Sequence, residues 1–173
     1  MRVINKIDYF CGAFLSYLIS NGVEPTLFEA GEKSKVVEFT IRDSVYKIFF
    51  KYSTKKKAIT KQRKAYDTWN IVFAEKELNL LEQFGDARKQ VAITCFCTDE
   101  KLKDADVAVI PYADACKCLG LMQDEINKQR VITIRHLKGS SKLLCHGTGL
   151  SQDNAIEIPH NFEKFFGLEG SET

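Results

Sequence analysis

No stretch of this sequence reaches the roughly 18 consecutive apolar residues that a membrane-spanning helix requires, although hydrophobic residues make up 45% of the chain. The best candidate, residues 9–19, is interrupted by Gly12, Ser16 and Tyr17. It follows only Arg2 and Lys6, and the polar residues 21–25 after it supply no small-residue cleavage site, so neither an export signal nor an anchor is expected. The expected location is the cytoplasm, with no membrane partner. Internal repeats and low-complexity linkers are missing too. Gly139, Gly147 and Gly149 punctuate turns and compose neither a P-loop nor a dinucleotide fingerprint. Without an export signal the six cysteines are expected as reduced thiols rather than disulfides. A zinc site is not expected either. Cys95 and Cys97 share one face of a predicted strand, whereas Cys116 and Cys118, two apart on a predicted helix, point about 200° apart. The sharpest local absence is of acid: residues 51–64 hold no Asp or Glu.

What that segment does hold is charge of the other sign. Lys51, Lys55, Lys56, Lys57, Lys61, Arg63 and Lys64 fall within it. The net charge of the whole chain is only +2, but residues 1–90 carry 16 basic against 11 acidic side chains and residues 91–173 carry 9 against 12. Basicity is therefore local, as at a polyanion site, where clustered cations release counterions from a phosphate backbone. A second cluster, Arg130, Arg135, Lys138 and Lys142, lies with His136 and His146 along a predicted hairpin. If that hairpin flanks residues 51–64, the two clusters make one positive groove. Tyr52, Tyr66 and Trp69 are candidate stacking surfaces for unpaired bases. His136, His146 and His160 read as ordinary surface or half-buried histidines, and Cys145 next to His146 is a poor nucleophile–base pair because strand neighbours face opposite ways.

The chain of 173 residues suits one domain, 1–166, with a loose tail at 167–173. Residues 6–20 place apolar side chains at Ile7, Phe10, Cys11, Phe14, Leu15, Leu18 and Ile19, the spacing of an amphipathic helix. Asn5 is its expected cap and Asn21-Gly22 its stop. A short extended piece at 25–28 leads to a polar turn at 30–34. Strands are expected at 36–41 and 45–52 about a tight turn, then a cation-rich loop without glycine or proline. A third strand at 68–74 puts Trp69, Ile71 and Phe73 on one face. A helix at 75–84 stopped by Gly85, buried strands at 90–98 and 107–111, a helix at 112–121 ending at Gly120, and a hairpin of 129–137 with 142–146 complete the pattern. The aromatics of 162–166 are expected to dock. The fold class is α+β (or α/β), a central mixed sheet flanked by helices.

The lines VEFTI at 37–41 and YKIFFKYST at 46–54, following a helix, resemble the PD-(D/E)XK restriction-endonuclease-like superfamily over residues 6–74. In its small branch an acid on one strand and an acid or Gln two residues before a Lys on the next hold Mg²⁺, while the Lys positions water and stabilises charge. The resemblance implies Glu38 as the first acid, Lys51 as the lysine and Asp8 as a helix-borne acid, a candidate catalytic set of Asp8, Glu38 and Lys51. The chain departs from the motif at Phe49, which stands where the middle ligand belongs; an aromatic ring cannot ligate a hard cation. The expectation is accordingly a nucleic-acid-associated protein on a nuclease-like scaffold, catalytically silent, with no resident metal or cofactor. Two alternatives stand beside it: a protein-binding module such as a toxin-immunity or inhibitor protein, and a Mg²⁺-dependent nuclease using Asp8, Glu38 and a further acid such as Asp43 or Glu29.

Overall fold

The computed structural model describes residues 3–29, 34–84, 90–121 and 129–168, with the backbone alone for residues 27–29. Its first helix, α1 (Lys6–Ser20), has the expected bounds. The Asn5 amide donates to the Asp8 carboxylate at 2.8 Å, satisfying the start of the helix. Ile7, Phe10, Cys11, Phe14 and Leu18 form its buried stripe. The strands that follow are β1 (Thr26–Glu29), β2 (Lys35–Ile41), β3 (Ser44–Ser53), β4 (Lys57–Lys61) and β5 (Lys64–Phe73). Then come α2 (Glu75–Glu82), β6 (Gln90–Thr98), β7 (Ala105–Pro111), α3 (Tyr112–Leu119), β8 (Arg130–Leu137), β9 (Lys142–Gly147), a 3₁₀ turn at Gln152–Asn154, β10 (Ile156–Pro159) and α4 (Glu163–Phe166).

The α+β class holds, but one central sheet does not: the described residues form two five-stranded sheets, ordered β1-β2-β3-β6-β7 and β4-β5-β8-β9-β10. In the first, β3 and β6 run parallel and the other neighbours antiparallel; the second is antiparallel throughout. A parallel pair needs a long crossover, and here the β4–β5 hairpin and α2 lie within it. The cation-rich segment expected as a loop is thus a hairpin. Gln62 and Arg63, both at positive φ (52° and 63°), make its two-residue turn, and Arg42 and Asp43 (47° and 66°) do the same between β2 and β3.

Alternation along the strands builds two apolar layers. Between the sheets lie Val36, Phe49, Trp69, Ile71, Phe73, Ile93, Cys95, Cys97, Ile132, Ile134, Leu143 and Cys145, closed at one side by Leu78, Leu81 and Phe84 from α2 and its exit. The other face of the first sheet presents Val37, Phe39, Ile48 and Phe50 to α1 and to Phe166. The expected docking of residues 162–166 is seen: the Phe166 ring packs edge-on against Phe39 and Tyr46 at 5.3 and 5.5 Å. Within the segment expected as a tail, the Leu168 amide donates to the Glu163 carbonyl at 3.2 Å; residues 169–173 lie outside the described residues, as do Gly85 and most of the turn at 30–34. Gly120 ends α3 in the left-handed conformation (φ 69°). Gly149 abuts it so closely that a Cβ there would fall 2.3 Å from the Gly120 Cα.

Candidate functional site

Antiparallel register decides which basic side chains share a surface. Trp69, Ile71 and Phe73 face the inner core, so Lys64, Tyr66, Thr68, Asn70 and Val72 face outward from β5. Pairing of β4 with β5 turns Lys57, Ile59 and Lys61 to that same outer side. Pairing of β8 with β5 adds Val131, Thr133, Arg135 and Leu137. The outward positions of β4, β5 and β8 therefore carry Lys57, Lys61, Lys64 and Arg135, and no Asp or Glu. Arg135 lies over the Tyr66 ring, 5.3 Å from its centroid. The Gln152 amide, with its oxygen turned to the cations, accepts from Arg135 Nη1 at 2.6 Å and Lys61 Nζ at 3.2 Å.

Three polar atoms on this face are buried without a hydrogen-bond partner: Thr68 Oγ1, Arg135 Nε and His146 Nδ1. Each such group carries a desolvation cost of about 1–3 kcal/mol. Burial, with the Arg135 charge adding to it, lowers the His146 pKa, so the neutral ring is favoured.

The remaining sequence-predicted cations divide. Arg63 is exposed in the β4–β5 turn. Lys138 follows β8, its amide on the Ala65 carbonyl at 3.1 Å; the hairpin of β8 and β9 thus does flank the β4–β5 hairpin. Lys55 joins Lys6 and Lys51 along a 330 Å³ cleft between the end of β3 and β5. Lys56 meets Asp99 at 3.6 Å and Lys142 meets Glu157 at 2.7 Å. Two cations are not surface groups. Lys51 is 4% exposed; its ammonium sits 4.5 Å from the Phe73 ring centroid, donates to the Val72 carbonyl and pairs with Glu77 at 2.5 Å. Arg130 is 8% exposed and donates to the carbonyls of Leu119 and Gly120 at 2.8 and 2.9 Å, capping α3. Of the candidate stacking residues, Trp69 is buried and donates to the Thr98 carbonyl at 2.9 Å. Tyr52 packs on Phe10 at 4.8 Å, and Tyr66 alone of the three lies on the basic face.

The structure does not bring Asp8, Glu38 and Lys51 together. Asp8 lies on α1, beneath the face of the first sheet that carries Lys35, and meets Lys35 Nζ at 3.1 Å. Glu38 and Lys51 project from the opposite face, with Val36 and Phe49. Glu38 stands opposite Lys47, four residues from Lys51, or about 13 Å at ~3.3 Å per residue. Phe49 fills core space against Phe73 and Phe84, at 6.2 and 6.1 Å. The cysteines sit where thiols stay protonated: burial pushes the Cys95 pKa up to about 12 and that of Cys97 well above the ordinary range.

One cluster escapes the sequence. Asp106 on β7 lies between His136 on β8 and His160 after β10, with His136 Nδ1 to Asp106 Oδ2 at 3.1 Å and His160 Nε2 to Asp106 Oδ1 at 2.6 Å. Sequence separations of 30 and 54 residues hide it. Comparison with protein-family models, curated proteins and solved structures finds no match for this chain.

Proposed function

We propose that this protein binds nucleic acid across the outer face of β4, β5 and β8 and does not cleave it. The carrying observation is the outward set Lys57, Lys61, Lys64 and Arg135 with no carboxylate among the outward positions of those strands. A rigid sheet holds these cations in register, so they meet a phosphate backbone without ordering a loop. Tyr66, Ile59 and Leu137 supply apolar surface beside them, the combination that single strands use for stacking. The helix-first order with a β2–β3 hairpin supports the likeness to the nuclease-like scaffold. The separation of Asp8, Glu38 and Lys51, and the Phe49 ring in place of a ligand, support catalytic silence: two-metal or one-metal phosphodiester chemistry needs converging carboxylates.

The test is fluorescence anisotropy with labelled duplex and single-stranded DNA and RNA, titrated across salt. Wild type should bind with affinity falling steeply as salt rises, and Lys57→Ala/Lys61→Ala/Lys64→Ala should lower the magnitude of the log–log salt slope by up to ~0.9 per lost duplex phosphate contact. A flat salt response, or equal affinity in the variant, would remove this face as the binding surface. Mg²⁺-dependent cleavage abolished by Lys51→Ala would overturn silence.

A further inference from the structure

We infer that Asp106, His136 and His160 form a binding site for a divalent transition-metal ion of the zinc class, independent of the basic face. His136 Nε2 lies 2.9 Å from the Ser140 carbonyl oxygen and its Nδ1 lies 3.1 Å from an Asp106 carboxylate oxygen; both oxygens accept, and a neutral imidazole has a single hydrogen to donate. With that hydrogen on Nε2, toward Ser140, the Nδ1 lone pair faces the carboxylate oxygen. Two acceptors that close require a positive species between them. His160 Nε2 faces the other oxygen of the same carboxylate at 2.6 Å. Among the described residues, no Lys or Arg forms an ion pair with Asp106.

The donor set is that of a metal site. Two imidazole nitrogens and a carboxylate oxygen, mutually within 4.8 Å, match the borderline ligands zinc takes at about 2.0–2.2 Å, three protein groups leaving a fourth position open. The Ser140 carbonyl fixes the His136 tautomer from behind, as outer-shell acceptors do for ligating histidines. Asp67 stands directly across the strand pair from His136, adding negative potential on that face. The two rings are nearly parallel, with centroids 4.4 Å apart and 19° between planes, so a shared ion requires the His160 ring to turn. At 40% side-chain exposure it has room to do so. His160 also lines a 620 Å³ cavity with Lys142 and Lys164, which gives an ion a route from solvent.

Titration of the full chain with Co²⁺, followed by visible absorption, tests the site. The expected result is saturation at a single equivalent, ligand-field bands without thiolate-to-cobalt charge transfer, and displacement by Zn²⁺. Affinity should weaken as pH falls, because protons compete for the imidazoles. His160→Gln, at a half-exposed position, and Asp106→Asn should each cost at least ~10-fold in affinity, with folding of each variant verified by circular dichroism. Absence of saturable binding, a thiolate charge-transfer band, or affinity unchanged in both variants would overturn the site and leave a proton as the species between Asp106 and the rings.

Discussion

A buried lysine is held by its partner, and here the partner is Glu77, 2.5 Å away at the start of α2. Glu77→Gln leaves the Lys51 ammonium against Phe73 without its counter-charge, so the loss should be ~3–5 kcal/mol in urea unfolding. Exchanging both members, as Lys51→Met/Glu77→Leu, should recover most of it, because the apolar pair carries no desolvation cost. A loss below ~1 kcal/mol in Glu77→Gln would mean water reaches the pair. His146 makes a second prediction at this scale. Its pKa in the folded state lies below the ordinary ~6.5 of histidine, so the unfolded chain binds the extra proton first. Stability from this group is full above the unfolded value and declines as pH falls through ~6.5, levelling off below the depressed folded pKa. Urea unfolding at pH 7.5 and 5.5 should show a decline in wild type that is smaller in His146→Gln. An equal decline in both would show that the ring titrates alike in the two states.

Hairpins are specified by their turns, and neither two-residue turn here uses the residues its backbone favours. Arg42 and Asp43, at φ 47° and 66°, occupy conformations preferred by Asn and Gly. Arg42→Asn/Asp43→Gly should raise stability by about 0.5–1 kcal/mol, measured by thermal and urea unfolding, since relief of left-handed strain at ordinary residues is partly offset by the greater unfolded-chain entropy of Gly. A neutral or negative result would place the loss in a contact made by those side chains. The same elements explain what was legible. The stripe of α1 and the Trp69, Ile71, Phe73 alternation could be read because burial imposes a period on the residues themselves. Lys-Ala-Ile-Thr-Lys at β4 is exposed at every position, and its extended form comes from pairing with β5, which no local pattern carries. β10, four residues ending in Pro159, is likewise defined by β9 alone. The β2–β3 turn was visible as a tight turn. The division into two sheets was not, because it depends on β5 meeting β8 across more than fifty intervening residues. At the site, charge was legible but burial was not. Lys51 and Arg130 read as members of basic clusters, whereas the fold assigns one to a core ion pair and the other to a helix cap.

At the scale of the molecule, neither sheet is a continuous piece of chain. β1 to β3 build the first sheet, β4 and β5 the second, β6 and β7 return to the first, and β8 to β10 finish the second. Neither sheet can complete itself until the chain has crossed between them, and the layer joining them is shared apolar surface. This organisation predicts one cooperative transition rather than sheet-by-sheet melting. The chain's one tryptophan is well placed to report it: Trp69 sits on β5 in the inter-sheet core, and its indole N–H donates across to the Thr98 carbonyl at the end of β6. Its fluorescence follows undocking of the sheets, whereas far-ultraviolet circular dichroism follows loss of the strands and helices in both. The two urea transitions should share one midpoint and one slope. A fluorescence change at lower denaturant than the circular-dichroism change would mean that the sheets part before either unfolds. The interleaved chain path would then govern assembly but not stability.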